Sequence, residues 1–72
     1  MAEIKFIGFI AEKTGTREMK VPLKQPVKLK NIVGVELSKD RAIVIINQKR
    51  GSLDSRIEDG DKVIIMPVVS GG

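Results

Sequence analysis

The chain of 72 residues lacks cysteine, histidine, tryptophan and tyrosine, and its only aromatic residues are Phe6 and Phe9. Without cysteine it can form neither a disulfide nor a thiolate zinc site. Without histidine it also lacks the commonest metal ligand and the usual general base near neutral pH. We therefore expect no metal site and no self-contained catalytic site. Two aromatic residues offer little surface for stacking bases, which argues against a reader of single-stranded nucleic acid.

Long hydrophobic runs are also missing. No stretch approaches the roughly 18 consecutive apolar residues that a membrane-spanning helix needs. The first residues, Met-Ala-Glu-Ile-Lys, do not form an apolar signal region behind a basic flank. We therefore expect a soluble, cytoplasmic protein without a membrane partner. A chain of this length has room for one domain, for which we expect residues 1–69, followed by a flexible tail at residues 70–72.

Basic residues outnumber acidic residues, and the two kinds are unevenly distributed along the chain. The net charge is +4; residues 1–50 hold 11 Lys and Arg against 5 Asp and Glu, while residues 51–72 hold 2 against 4. A basic body can steer an acidic partner, and a plain solvated surface accounts for the same charge. Both interpretations stay open.

Hydrophobic alternation in the first third of the chain predicts two strands. Residues 3–10 carry apolar side chains at period two, and residues 17–23 alternate again. Between them, residues 11–15 predict a turn in which Gly15 adopts a positive φ. The two strands should form a hairpin. Pro22 has no N–H to donate, so it indicates a sheet edge or a strand end.

The rest of the chain predicts one short helix and two further strands. Residues 27–33 have near-helical apolar spacing and end at Gly34, a suitable C-cap. Residues 42–46 form a β-branched run typical of a buried central strand, and residues 62–68 predict the last strand. Residues 52–57 predict a short turn of helix. The order strand, strand, helix, strand, strand is that of an α+β, β-grasp (ubiquitin-like) fold with a mixed sheet.

The C-terminal third carries a motif with a known resemblance. Ser-Leu-Asp at residues 52–54 is followed by Ile-Glu-Asp-Gly-Asp-Lys-Val at 57–63 and Met-Pro-Val-Val-Ser-Gly-Gly at 66–72. This spacing, together with residues 5–15, resembles the ubiquitin-like sulfur carriers, most closely the small subunit of molybdopterin synthase. Archaeal ubiquitin-like modifiers are similar as well. Carriers of the thiamine pathway resemble the chain less, because they usually lack a first strand and loop like residues 5–15.

The resemblance implies that the chain is a protein co-substrate rather than an enzyme. An activating (adenylating) partner enzyme would use ATP to convert the Gly72 carboxylate into an acyl adenylate and then a thiocarboxylate. This chain has no phosphate-binding loop of its own. Gly71 would keep the tail slim enough for a narrow active site, and Ser70 would lengthen the arm. The sulfur acceptor would be the molybdopterin synthase large subunit, as in cofactor biosynthesis, or tRNA.

The resemblance also implies that the sheet face away from the helix, together with the last strand, contacts the partners. The expected contact residues are Ile7, Phe9, Ile65, Pro67, Val68, Val69 and Ser70. For the body residues among these, completion of a small core is an equal alternative. The aspartates near the last strand, whose spacing does not fit a calcium loop, are expected to be turn and cap residues.

Two other functions stay open. The stretch between Pro26 and Arg41 is shorter than the helix and loop of the family, which keeps a second role beside sulfur transfer: a protein modifier that joins Gly72 to target lysines. A non-covalent interaction module is the third possibility, and it would not need the terminal glycines.

Overall fold

A computed structural model describes residues 1–34 and 42–68 of the chain. Within these residues the chain forms seven strands and two short helices. In order they are β1 (Ala2–Phe6), α1 (Phe9–Thr14), β2 (Glu18–Val21), β3 (Val27–Lys28), α2 (Leu29–Val33), β4 (Ala42–Ile46), β5 (Lys49–Gly51), β6 (Arg56–Ile57) and β7 (Lys62–Pro67).

Five of the strands form one mixed sheet in the order β2-β1-β7-β4-β5. The hairpin of β1 and β2 is antiparallel, as predicted, with Ile4 opposite Met19. The last strand, β7, lies in the middle, parallel to β1 and antiparallel to β4. Strands β3 and β6 form a separate two-stranded ribbon. The predicted β-grasp fold is therefore confirmed, and β2 forms an edge of the sheet directly before Pro22.

One face of the sheet, here called the inner face, carries the hydrophobic core. Alternation along the strands turns one set of aliphatic side chains to this face, where the helices and the ribbon cover them. The buried residues are Ala2, Ile4 and Phe6 of β1, Val44 of β4, Val63 and Ile65 of β7, Ile10 of α1, Leu29 of α2 and Ile57 of β6. Full burial of a large aliphatic side chain contributes about 1.5–3 kcal/mol, so aliphatic packing carries the stability of this cysteine-free chain.

The first helix corrects the sequence prediction of a strand over residues 3–10. The strand ends at Phe6, and α1 follows it, so residues 11–14 are helical rather than a turn. Gly8 turns the chain with φ 63° and ψ −142°, a combination that favours glycine. Ile10 then reaches the core from the helix. The sequence pattern reports that Ile10 is buried, and a buried residue at this position fits a strand as well as a helix. Its period-two position therefore predicted a strand. Gly15 has the predicted positive φ, 78°.

The second helix agrees with its predicted C-terminus. It ends before Gly34, whose N–H donates to the Lys30 carbonyl at 3.0 Å. It is shorter at its start than predicted, because residues 27–28 belong to the ribbon as β3. The helix has five residues, too few to be stable without tertiary contacts.

The predicted helical turn at residues 52–57 is wrong. A turn at residues 53–54 leads directly into β6. The carbonyls of Leu53 and Ser55 accept hydrogen bonds from the N–H groups of Lys30 and Leu29, each at 2.9 Å. These carbonyls therefore bind the start of α2 and are not available to a helix of their own. The pairing crosses more than twenty residues of chain, which local pattern does not reveal.

Candidate functional site

The predicted reactive tail follows the most firmly paired strand of the sheet. Strand β7 pairs with β1 over residues 62–65 and with β4 over residues 63–67, where Pro67 lies opposite Ala42. The predicted tail residues Val69, Ser70, Gly71 and Gly72 lie outside the described residues. Their roles, and the division into a domain and a tail, remain predictions. The structure locates the body from which they extend.

The end of β7 is held against the loop that follows β1. The Ile7 N–H donates to the Ile65 carbonyl at 2.9 Å. One residue further, a Cβ placed on Gly8 would lie 3.2 Å from Cγ of Pro67. Glycine is favoured at this position for two reasons: it adopts the positive φ without strain, and it has no Cβ to obstruct the close approach of the proline ring. This contact joins the loop before α1 to the place where the tail begins.

Four apolar residues surround this place, and we call them the tail-end patch: Ile7, Phe9, Pro67 and Val68. The exposed fractions are 47% for Ile7, 48% for Phe9 and 39% for Val68, while Pro67 is half-buried. All four were predicted as partner contacts. Grouped, exposed apolar residues on a small protein indicate an interaction site. The Ile7–Ile65 hydrogen bond and the approach of Gly8 to Pro67 place the segment that carries Ile7 and Phe9 beside the end of β7.

Ile65, also predicted as a contact residue, lies on the inner face of the sheet, within the core. Its side chain is 0% exposed and belongs to the core cluster with Ile4 and Val63. The alternative weighed for it, completion of the core, is the one that the structure supports. The physical reason is strand parity, because successive side chains of β7 point to opposite faces. The neighbours Ile64 and Met66 take the outward positions instead.

The outer face of the sheet, opposite the core, carries four aliphatic residues that sequence reasoning did not select as contacts. They are Ile43 and Ile45 of β4 and Ile64 and Met66 of β7, all half-buried. They form two cross-strand pairs, Ile43 with Met66 and Ile45 with Ile64. A signal was available: the unbroken run Ala-Ile-Val-Ile-Ile in β4 supplies apolar side chains to both faces.

Cations border these outer residues. Lys5 lies beside Ile64 in the neighbouring strand, and Arg50 lies opposite Ile45. At the start of β7, a concavity of about 340 Å³ opens on the same face. Its lining is Ile45, Asn47, Gln48, Lys62 and Ile64, and we call it the outer-face pocket.

The turns at the start of β7 hold this pocket in place. Asn47 and Gln48 connect β4 to β5 with positive φ angles of 50° and 71°. The Asn47 amide donates to Asp61 at 2.9 Å, and its oxygen accepts from the Lys62 N–H at 2.9 Å. The other Asp61 oxygen accepts from the Glu58 N–H at 2.8 Å. The predicted turn role of Asp61 is confirmed by these bonds.

Among the described residues two carboxyl groups have a shifted pKa, and neither belongs to the tail-end patch. A hydrogen bond from Lys30, reinforced by its charge, lowers the pKa of Asp54. A hydrogen bond from the N-terminal ammonium, and a second from the Leu23 N–H, lower the pKa of Asp59. Both groups stay ionised as turn residues. Among the described residues, no helix is long and apolar enough to cross a membrane.

The sequence profile of the ThiS family matches residues 4–72, nearly the whole chain. This chain belongs to the ThiS family. The match confirms the resemblance to ubiquitin-like sulfur carriers. The matched range also includes residues 5–15. We expected this segment to distinguish the chain from carriers of the thiamine pathway, and the family match does not support that expectation.

Several solved structures of archaeal proteins share the fold. The SAMP1 protein of Haloferax volcanii is similar with a TM-score of 0.71 at 21% identity, covering 99% of this chain and 98% of that one. A putative molybdopterin converting factor subunit 1 from Pyrococcus furiosus is similar with a TM-score of 0.70 at 15% identity, covering 94% and 97%. Urm1 of Sulfolobus solfataricus gives 0.63 at 18%, covering 92% and 99%.

No curated protein matches the sequence significantly. Family and fold together support a ubiquitin-like sulfur carrier or modifier as the class of this ThiS-family protein. At these identities the neighbours show the fold, and the choice between the two roles belongs to the proposal below.

Proposed function

We propose that this ThiS-family protein is a sulfur carrier whose Gly72 carboxylate is adenylated by a partner enzyme and converted to a thiocarboxylate. One observation carries the proposal: the family match extends to Gly72, and the segment bearing it leaves a strand paired on both sides, beside the exposed tail-end patch. A rigid body with an apolar surface at the base of its tail suits presentation of that tail to an enzyme.

The chemistry requires activation because a carboxylate is a poor electrophile. In the first step a Gly72 oxygen attacks the α-phosphorus of ATP, and pyrophosphate leaves. In the second step a sulfide equivalent attacks the acyl carbon, the carbon–sulfur bond forms, and AMP departs with the electron pair of the carbon–oxygen bond. The partner supplies the ATP site, and this chain supplies the carboxylate. The product thiocarboxylate then donates sulfur to the acceptor in molybdopterin biosynthesis or tRNA thiolation.

The tail-end patch would dock on the activating enzyme. Phe9 and Ile7 project from the α1 side, and Pro67 and Val68 lead directly into the tail. Burial of such side chains at an interface would orient the tail before reaction, which lowers the entropic cost of threading two glycines into a narrow site.

The second candidate is a protein modifier joined through Gly72 to target lysines. Its support is the fold shared with a protein described as small archaeal modifier protein 1 from Haloferax volcanii, with a TM-score of 0.70 at 19% identity. The Pyrococcus furiosus neighbour, described as a molybdopterin converting factor, favours sulfur transfer. Both candidates use the same activation step, so the fate of the activated carboxylate decides between them.

The test is the intact mass of the protein isolated from its native cell. A sulfur carrier should show a population heavier by the replacement of one oxygen by sulfur, absent when Gly71 and Gly72 are deleted. Lysines of other proteins joined to Gly72, identified after tryptic digestion by the attached remnant of residues 63–72, would favour the modifier if the thiocarboxylate is absent. Full cellular activity of the deleted protein would exclude both and leave a non-covalent module.

Docking is tested separately with Phe9→Ala. Loss of an exposed aromatic anchor should raise the KM of the activating enzyme for this protein by about tenfold while thermal stability changes little. The matched control is Glu12→Ala, which alters an exposed residue of the same helix. Equal effects of the two substitutions on KM would contradict the prediction that the tail-end patch contacts the activating enzyme.

A further inference from the structure

The end of β7 has little conformational freedom of its own. Pro67 is the last residue of the strand, and its ring fixes φ at about −65°. A residue that precedes proline is confined to extended conformations, and Met66 is in that position. The chain therefore leaves the sheet from a stiff two-residue segment, residues 66–67, which we call the stem.

Gly8 lies against the stem in a conformation that few other residues adopt. Its φ of 63° and ψ of −142° are close to a backbone region that is nearly exclusive to glycine. A Cβ at this position would lie 3.2 Å from Cγ and 3.5 Å from Cδ of Pro67. The absence of a side chain on Gly8 therefore leaves the space in which the proline ring packs. Residues held in such conformations often mark functional sites.

The backbone of Gly8 is fixed on both sides. Before it, the Ile7 N–H donates to the Ile65 carbonyl at 2.9 Å. After it, the Gly8 carbonyl accepts from the Ala11 N–H at 3.1 Å, and Ile10 anchors α1 in the core. Because the loop is held in this way, a side chain at residue 8 would displace the proline ring rather than the loop.

We infer that Gly8 is a positioning residue for the reacting tail, because its contact with Pro67 sets the direction in which the chain leaves β7. The inference rests on the proposed function, in which an enzyme must receive the end of the chain. Five residues follow Pro67 and span at most about 18 Å. A change of direction at the stem therefore shifts the region that the Gly72 carboxylate can reach. A well-directed tail has a higher effective concentration in the partner's site.

This role differs from that of the tail-end patch. The patch would contribute binding energy through side chains, so its loss should raise KM. Gly8 offers no side chain to a partner. Its effect should follow docking, when the carboxylate has to meet ATP, and should therefore appear in kcat.

The first test substitutes Gly8→Ala in the full chain and measures ATP–pyrophosphate exchange by the activating enzyme. We expect kcat to fall about threefold to tenfold, since misplacing a reacting group by about 1 Å can cost up to ~10²-fold. KM should change by less than about twofold, because the docking side chains are retained. An unchanged kcat would overturn the inference.

The matched control is Gly15→Ala at the other end of α1. Gly15 also has a positive φ, 78°, and within the described part of the chain nothing lies within 4 Å of its Cβ position. This substitution strains the backbone without touching the stem. It should lower Tm and leave kcat unchanged. A loss of kcat equal to that of Gly8→Ala would attribute the effect to a destabilised helix and contradict the positioning role.

A double-mutant cycle separates the contact from the backbone strain. Pro67→Ala removes the ring, so a side chain at residue 8 no longer has a ring to displace. In this background Gly8→Ala should lower kcat by less than about twofold. The same loss in both backgrounds would assign the effect to strain at residue 8 and refute the contact.

NMR of the ¹⁵N-labelled protein measures the stem without any enzyme. The Val68 amide should have an order parameter near the rigid value of about 0.85 and fall toward about 0.6 in Pro67→Ala. Gly8→Ala should change the residual dipolar coupling of the Val68 N–H, which reports the direction of this bond relative to the sheet. If Gly8→Ala does not fold, Pro67→Ala alone carries the test. A Val68 amide that is already flexible in the unaltered protein would overturn the inference.

Failure of this inference and failure of the proposed function are distinguishable. Adenylation of Gly8→Ala and of the unaltered protein with equal kcat would refute the positioning role and keep the carrier. If neither protein is adenylated, the carrier is refuted, and the NMR measurements still decide whether the contact directs the end of the chain.

Discussion

The two faces of the five-stranded sheet carry the same kind of side chain and have different environments. On the inner face Val63 and Ile65 are buried under the helices and the ribbon. On the outer face Ile64 and Met66, their neighbours in the same strand, remain half-buried, with Lys5 beside Ile64. Burial of the inner residues stabilises the fold. The outer residues contribute less to folding, because folding leaves their side chains partly exposed to water.

The largest effect on the free energy of unfolding is expected from a pair of substitutions in β7, one on each face of the sheet. Ile65→Ala should lower the free energy of unfolding by about 2–5 kcal/mol, because it removes buried methyl groups and leaves a cavity. Ile64→Ala, one residue earlier, should lower it by less than about 1.5 kcal/mol, since its side chain is already partly hydrated. Urea denaturation of both variants measures the difference.

If the two alanine variants lose equal stability, the assignment of an inner and an outer face is wrong. If Ile64→Ala keeps most of its stability while Ile65→Ala loses it, the comparison becomes sharper, because one side of β7 is then shown to carry more of the folding stability than the other. Circular dichroism of the folded variants is the control for misfolding.

The second prediction concerns the rigidity of the outer-face pocket. Asn47→Gly keeps the positive φ and removes two side-chain hydrogen bonds, to Asp61 and to the Lys62 N–H. At about 0.5–1.5 kcal/mol for each of the two bonds, we expect a loss of about 1–3 kcal/mol. At about 4–8 °C per kcal/mol the fall in Tm should be measurable by calorimetry. An unchanged Tm would show that these bonds do not hold the turn.

The third prediction uses the next residue of the same turn. Gln48 has φ 71°, a left-handed conformation that is costly for a residue with a Cβ. Gln48→Gly removes this cost and adds some entropy to the unfolded chain, so a net gain of about 0.5 kcal/mol is expected. Comparing the thermal unfolding of Gln48→Gly with that of Asn47→Gly separates the effect of the backbone conformation from the effect of lost side-chain hydrogen bonds. A loss of stability would mean that the Gln48 side chain supports the turn.

The smallest effect is expected away from the sheet, at the exposed ion pair of Asp54 with Lys30, 3.0 Å apart. The folded-state pKa of Asp54 is below its ordinary value of 3.8. The pair therefore adds stability above that ordinary pKa and loses it as pH falls through the lower folded value. Asp54→Asn should flatten the acid limb of a stability–pH curve measured by urea denaturation. A curve parallel to that of the unaltered protein would contradict this.

Several elements of the fold were readable from local sequence. The strands over Ala42–Ile46 and Lys62–Pro67, the positive φ of Gly15 and the cap at Gly34 follow from patterns that depend on few neighbours. The contact role of the tail-end patch residues stays a prediction. Helix α1 was not predicted. It has six residues, and its buried residue Ile10 continues the period-two pattern of β1 across Gly8, so the pattern predicted a longer strand.

What the sequence by itself determined is the β-grasp order and the diglycine that ends the motif. The middle strand of the sheet is β7, and the predicted central strand, β4, lies beside it, between β7 and β5. Only the tertiary structure decided which side of β7 is the core, and hence that Ile65 is buried while Ile64 faces outward. Alternation shows that residues two apart share a face, and it does not say which face the helices cover. That choice depends on contacts with Ile10, Leu29 and Ile57, which belong to elements distant in the chain.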